Sequence, residues 1–239
     1  VTDLAGAVAG VRPGDTVWLG NFGAQLFAVG EELVRQRVRE LHVVIGSGGL
    51  VLDRLIAAGA VAEVTFAHCW SAVGPAPTRH FRRAWQDGAD IRWHELPLGA
   101  LSAALGAAAA GVPFAAVPVR PETGYLEWSG GLLSEVDSPF GAAVVVRALP
   151  VDVAFVHASL AAPAGDCWFG APAGEAVAAA QAARRVVVVA ERIGEPPVVD
   201  LPGLVVDEVV EVPGAVRPDG VPGHYPRDVA AYQAYGRSA

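Results

Sequence analysis

The chain has 239 residues, is 53% apolar with many Ala, Val and Gly, and is long enough to bury a full core as one domain over 1–239. Its formal net charge is −8, and no basic stripe interrupts it, which argues against nucleic acid or an anionic membrane surface as a partner. Lysine is absent, which removes a Walker-type phosphate loop, a pyridoxal Schiff base and the kinase lysine together. The two cysteines, Cys69 and Cys167, have neither metal nor redox spacing. No charged-then-apolar leader opens the sequence, and no apolar run of about 20 residues could span a bilayer. The expected setting is a reducing cytoplasm.

Thr2 can cap a first helix in which Leu4, Val8 and Val11 recur at helical spacing, and Pro13-Gly14-Asp15 then turns the chain. TVWLG (16–20) predicts a strand, followed by a helix over about 29–38. HVVIG (42–46) predicts the next strand, GSGG (46–49) a tight turn, and a short helix runs on to Ile56. EVTFAH (63–68) predicts a strand. PTRHFRRAWQDG (77–88) predicts a helix with proline at its start, Phe81 and Trp85 four apart, and Gly88 as its stop. DIRWHE (90–95) predicts a strand, and the small-residue stretch to Gly111 a helix. From 112 to 140 the pattern dissolves into Pro, Gly and scattered aromatics, which predicts a long functional or interface loop. AAVVVRAL (142–149) and VDVAFVHASL (151–160) predict strands, and GEAVAAAQAA (174–183) a helix. RRVVVVAERI (184–193) predicts a strand buried on both faces, LVVDEVVEV (204–212) another strand, and YPRDVAAYQAY (225–235) a closing helix. Repeated strand–helix–strand units predict an α/β fold with a single open, mostly parallel sheet flanked by helices.

Open parallel sheets bind ligands beyond the carboxyl ends of their strands. Those ends are Gly20-Asn21-Phe22-Gly23, Ser47-Gly48, His68-Cys69-Trp70, Glu95 and Glu191, and several of them are expected to share one rim. Glycines around Asn21 allow either close backbone approach to a ligand or an ordinary strand-to-helix turn. His68 suits a hydrogen-bonded structural role as well as a site, and Glu191 suits an ion pair with an arginine as well as the rim. Glu95 follows Trp93 and His94, and a carboxylate among aromatics can carry a raised pKa suited to proton transfer. GSGGLV has Val51 where a dinucleotide fingerprint needs its third glycine, so an NAD-dependent oxidoreductase rests on a weak signal. Ser47 has Ile45 where a hydrolase nucleophile elbow needs glycine.

In the order of its motifs the chain is similar to the A (alpha) subunits of family I coenzyme A transferases, the group of the glutaconate and 3-oxoacid CoA-transferases. DTVWLGNFG (15–23) resembles the family's strand ending in Gly-Gly-Phe, with Asn21 in place of the second glycine. Gln25 and Ala28 occupy the region where the family often has Gly-x-Pro. GAAAAGVPF (106–114), SEVDSPF (134–140), VDVAFVHASLAAPAGD (151–166), VVVVAERI (186–193) and GAVRPDGVPGHYPRD (214–228) resemble further family segments in order, although no asparagine follows Gly165-Asp166.

The resemblance implies a CoA-transferase-like fold, a coenzyme A thioester and a carboxylic acid as substrates, and neither bound cofactor nor metal. It also implies a B-type subunit, in a heterodimer or a dimer of heterodimers. That partner would supply the nucleophilic glutamate from a Ser-Glu-Asn-Gly motif, which this chain lacks. The 20–23 turn would face the acyl group and offer backbone N–H groups to a developing oxyanion. Ser47, Gly48, His68 and Trp70 would line the same substrate site, with Glu95 as its acid–base candidate. RPETGYLEWSGGLL (120–133) is the segment expected at the interface. Steroid-ring hydrolases that resemble this scaffold use a glutamate three residues beyond the position of Glu95, where this chain has Leu98. A glutaconyl-CoA decarboxylase that resembles it keeps a glutamate matching Glu95. Transfer is the leading expectation; the alternatives are decarboxylation, hydrolysis, and ligand binding without catalysis.

Overall fold

The β-branched runs become strands, and the alanine- and leucine-bearing stretches between them become helices. The computed structural model describes residues 3–20, 24–74 and 76–238. The first half comprises α1 (Leu4–Ala9), β1 (Thr16–Trp18), α2 (Phe27–Arg35), β2 (Leu41–Ser47), α3 (Gly49–Ala57), β3 (Val61–His68), α4 (Arg79–Gln86), β4 (Arg92–Glu95) and α5 (Leu98–Ala109). A middle section follows with β5 (Phe114–Val117), α6 (Tyr125–Trp128), β6 (Leu133–Val136) and β7 (Ala143–Arg147). The last section holds β8 (Val151–Ala158), β9 (Leu160–Ala161), β10 (Cys167–Trp168), α7 (Ala176–Ala182), β11 (Ala183–Ala190), β12 (Glu208–Glu211) and α8 (Val229–Ser238).

Seven strands form a parallel sheet in the order β12-β11-β8-β1-β2-β3-β4. Alternate residues serve opposite faces. Val43, Ile45, Val187 and Val189 join a core with Leu33 of α2 and Leu52 and Leu55 of α3. Val44, Val186 and Val188 join a second core with α5 and α7. Both of those helices are alanine-rich, so their backbones approach each other and the sheet closely. A parallel sheet covered on both sides needs apolar residues on both faces, which accounts for the uninterrupted VVVV at 186–189.

The segment 112–140 is not a loop. It carries β5 and β6, which pair with the two edges of β7 in a three-stranded antiparallel sheet against α5. Each of the two strands has four residues, too few to show periodicity, and glycines and prolines lie between them. Their conformation comes from pairing, Phe114 with Arg147 and Leu133 with Val146, rather than from local preference. The strand expected over 204–212 is likewise shorter, because a 3-10 turn at Gly203–Val205 precedes β12.

The chain starts at the centre of the main sheet with β1, runs outward to the edge at β4, and resumes on the other side of β1 with β8. Because all seven strands are parallel, their carboxyl ends lie on one side, and the direction of travel reverses between β1 and β8. One buried carboxylate fixes the helix that overhangs β3 and β4. Asp53 accepts the Phe81 N–H at 2.8 Å and the Tyr235 hydroxyl at 2.9 Å, tying α3 to the first turn of α4 and to α8.

Candidate active site

The carboxyl ends of four adjacent strands, β1 to β4, bring Gly20, Ser47, His68 and Glu95 onto one rim. The register pairs Ser47 with His68 and Phe66 with Glu95. Asn21, Phe22 and Gly23 lie outside the described residues. Gly20 has φ +92°, and a Cβ there would stand 2.3 Å from the carbonyl oxygen of Ala24, so the turn requires glycine. Gly20 lines a small void of about 10 Å³, shared with Trp18, His157 and Phe169.

Two larger cavities open along the rim, and His68 and Trp70 line both. The first, about 280 Å³, lies between the strand ends and α4, with Phe66 and Glu95 on the sheet side and Phe81, Arg82, Trp85 and Gln86 on the helix. The second, about 140 Å³, is lined by Gln25, Ser47, Asp219, Arg227 and Tyr232 as well. Gln25 Nε2 donates to the Ser47 carbonyl at 2.6 Å. Its amide also presses on Gly49, where φ is +48° and an added Cβ would fall 2.4 Å from Gln25 Oε1. Arg227 Nε donates to Asp219 Oδ1 at 2.6 Å on the same wall. Gly48 lines neither cavity. Its N–H donates to the His68 carbonyl at 2.8 Å, and an added Cβ would lie 2.7 Å from Leu52 Cδ2 and 2.9 Å from Cys69 Sγ. Its part is to let the turn after β2 approach β3.

Burial raises the Glu95 carboxyl above its ordinary range and lowers the His68 imidazole below its own. Both groups are therefore shifted toward their neutral forms. Burial also pushes the Cys69 and Cys167 thiols up to about 12, so neither is a thiolate at neutral pH. Ser47 is buried, and among the described residues no base stands within hydrogen-bonding distance of its hydroxyl. No group of three metal-ligating side chains occurs among the described residues, and none of their helices is long and apolar enough to cross a membrane.

Glu191, at the end of β11, centres a separate buried network. Its Oε1 accepts from the Tyr225 hydroxyl and lies 3.3 Å from His157 Nε2, and its Oε2 accepts the Gly214 N–H at 2.7 Å. Burial opposes ionisation here, but the hydrogen bonds from His157, Tyr225 and Gly214 outweigh it and hold the carboxyl below its ordinary range. Its partners are thus a histidine, a tyrosine and a backbone amide rather than an arginine. The clasped segment reaches the start of α2, where the Ala28 N–H donates to the Ala215 carbonyl at 2.9 Å. Glu191 thereby braces the start of α2.

Within 120–133, Trp128 rests on Trp85 with ring centroids 5.5 Å apart, and the Ser129 carbonyl accepts from His94 Nδ1 at 3.1 Å. The inner side of the segment packs on α4 and β4, while Trp128 remains 48% exposed. Sequence reasoning missed Gln25 as a site residue, although it marks a departure from the family pattern. It also missed Arg82, Gln86 and the Asp219–Arg227 pair. The only signal for Arg82 was its place beside the Phe81/Trp85 stripe of α4.

An open α/β sheet with its polar side chains gathered on the carboxyl rim defines a scaffold for binding small substrates. The Coenzyme A transferase family matches residues 1–212, and the chain belongs to that family. It is 29% identical to the A chain of glutaconate CoA-transferase from Acidaminococcus fermentans, over 95% of this chain and 79% of that one. It is also 29% identical to the corresponding A chain of 3-oxoadipate CoA-transferase from Pseudomonas knackmussii, over 94% of this chain and 83% of the relative. The crystal structure of the Acidaminococcus glutaconate coenzyme A-transferase superimposes with a TM-score of 0.92 at 26% identity, covering 99% of this chain and 83% of that one. A variant of the decarboxylase AibA/AibB superimposes with a TM-score of 0.90 at 28% identity, covering 99% and 91%.

Proposed function

We propose that this chain is the A-type member of a heteromeric acyl-CoA enzyme that moves CoA between carboxylic acids, with a B-type partner supplying the nucleophilic carboxylate. Family membership and two relatives that are the A-type chains of CoA-transferases support the reading. The observation that carries it is the chemistry of the rim. It offers an acyl-sized cavity with a carboxyl and an imidazole shifted toward neutrality, yet both thiols are held protonated and, among the described residues, no base stands within hydrogen-bonding distance of the Ser47 hydroxyl. A transfer that needs a nucleophile then draws it from across an interface, for which the exposed side of 120–133 is the proposed contact.

The partner's carboxylate oxygen would attack the thioester carbonyl carbon, and the CoA thiolate would leave behind a mixed anhydride. Return of that thiolate to the partner's carbonyl carbon releases the first acid and leaves CoA on the partner. The second acid then runs the same steps in reverse. This chain would bind the acyl group through His68, Trp70 and Ser47, and Glu95 would orient it. It would also bring the 20–23 turn to the oxyanion, where backbone N–H groups are most effective. CoA thioester is substrate here, and the proposal requires no resident cofactor. Two buried free cysteines fit a reducing compartment.

The test is to co-purify the chain with the product of the adjacent gene, add acyl-CoA species, and weigh both proteins by mass spectrometry. A CoA adduct on the partner is expected. An adduct on this chain, or full turnover by this chain alone, overturns the reading. Decarboxylation is the second reading, favoured by the raised Glu95 carboxyl, a proton donor for a carbanion, and by the similarity to AibA/AibB. Carbon dioxide release in the same assay distinguishes it.

A further inference from the structure

We propose that the cavity between α4 and the ends of β3 and β4 recognises the acyl group, that it is built for an apolar, ring-sized or branched body carrying a second carboxylate, and that Trp85 and Arg82 make the selection. The placement of the thioester rests on the acyl-CoA reading above, while the selection rests on the cavity itself. Two rows of α4 side chains, each spaced i, i+4, face the strand ends: Phe81 with Trp85, and beside them Arg82 with Gln86. One wall is therefore apolar along one row and cationic and amide-bearing along the next. A ligand that satisfies both rows is amphiphilic.

The apolar row is rigid. Phe81 meets Phe66 edge-on at 5.2 Å and Trp93 at 5.3 Å, and Trp85 meets Trp93 at 5.3 Å and Trp128 at 5.5 Å. Three edge-to-face contacts and the tilted Trp85–Trp128 contact at these separations hold the rings in place, and Asp53 fixes the first turn of α4 from beneath. A wall that cannot collapse onto a small ligand rewards a body that fills it. At about 280 Å³ the cavity is close to the size of ordinary small-molecule pockets and leaves a two- or three-carbon acyl group largely uncontacted.

The cationic row supplies the second requirement. Arg35, Arg54, Arg92, Arg184, Arg185 and Arg227 each pair with a carboxylate. Arg82 is exposed to solvent and, like Arg79 and Arg83 on the same helix, has no carboxylate within ion-pair distance among the described residues; of these three it is the one that lines the cavity. A guanidinium fork beside an apolar wall matches a carboxylate bidentately at the end of an apolar body. Glu95, on the opposite wall, is shifted by burial toward its neutral form, which lessens its repulsion of such an anion.

The experiment is calorimetric titration of the full chain with phenylsuccinate, 3-phenylpropionate and propionate, repeated on four variants. Phenylsuccinate should bind tightest and propionate weakest. Arg82→Gln should lower the diacid-to-monoacid affinity ratio about tenfold or more, as expected for loss of a charge-assisted hydrogen bond, and Arg82→Lys should restore part of it. Trp85→Ala should weaken both ring acids about equally. Arg83→Gln, on the same helix but outside the cavity, should leave the ratio unchanged and so controls for folding. An unchanged ratio in Arg82→Gln, or propionate binding as tightly as the ring acids, overturns the proposal. The readout is binding, so it separates from the function. Arg82-dependent diacid binding in a complex that turns over no acyl-CoA supports this site and refutes transfer. Acyl-CoA turnover whose acyl preference is indifferent to Arg82→Gln does the opposite.

Discussion

Tyr225→Phe isolates one hydroxyl in the Glu191 network. The ring stays, and with it the Arg217 guanidinium stacked 4.3 Å from its centroid. What goes is the O–H donated to a carboxylate that is only 4% exposed, together with a long 3.4 Å acceptor for the Val216 N–H. A hydrogen bond to a charged group contributes about 1.5–3 kcal/mol, and the carboxylate keeps its bonds from Gly214 and His157, so the loss should be about 2 kcal/mol. In a chain of this size that corresponds to a fall in Tm of about 4–8 °C. The pH dependence follows from the depressed Glu191 pKa. A carboxylate whose folded pKa lies below its unfolded value of about 4.3 contributes stability that is fully present above that value and is lost as pH falls through the folded pKa. The difference between parent and variant should therefore be full at pH 7 and shrink below about pH 4. Urea unfolding followed by tryptophan fluorescence at both pH values measures it. A difference under about 0.5 kcal/mol at pH 7, or one that is constant with pH, would refute the account of Glu191 as an ionised clasp.

Gly20→Ala should destabilise by about 2 kcal/mol or more, because it adds overlap with the Ala24 carbonyl to the cost of positive φ. Gly14→Ala, at φ +87° with nothing within 4 Å of the new Cβ, should show the φ cost alone, about 1 kcal/mol, and equal denaturant midpoints for the two would contradict the overlap. Glu95→Gln in the complex with its partner should lower transfer by less than about tenfold while the partner's CoA adduct still forms. Under decarboxylation it should cost about 100-fold and abolish a pH–rate limb lying above the ordinary carboxylate range. Neither Cys69 nor Cys167 should react with a thiol reagent in the folded protein at pH 8, and both should react in urea; rapid labelling of the native chain would contradict their burial.

The rim was legible because a strand buried on both faces shows as a β-branched run, and the first polar residues after each run mark its carboxyl end. That logic located Gly20, Ser47, His68, Glu95 and Glu191. It could not say which of them share space. Glu191 stands on the same side of the sheet but spends its oxygens on Tyr225, Gly214 and His157, contacts 23 to 34 residues away in sequence. β5 and β6 were illegible for a related reason: a four-residue strand is defined by the edge it meets, and β7 lies beyond them in the chain. Arg82 shows the limit within a helix. The i, i+4 stripe of Phe81 and Trp85 identifies a face that packs on other rings, but that the adjacent Arg82/Gln86 row also borders the strand ends depends on the tertiary placement of α4, to which the Asp53 contact with Phe81 contributes.

The opposite pKa displacements of Glu95 and His68 have one cause and one consequence. Desolvation raises an acid and lowers a base, so each is displaced toward its neutral form, and the same desolvation makes the shared cavity a poor host for an isolated carboxylate. A thioester is neutral at its acyl carbon, whereas the free acid released from it is not. On the transfer reading the cavity therefore favours the acyl group while it is esterified and disfavours it once it is a carboxylate, which assists product exchange. An acyl group with a second carboxylate would meet the same penalty in both states. The Arg82 guanidinium on the facing wall can offset it, which links the substrate class to the same electrostatics that set the states of Glu95 and His68.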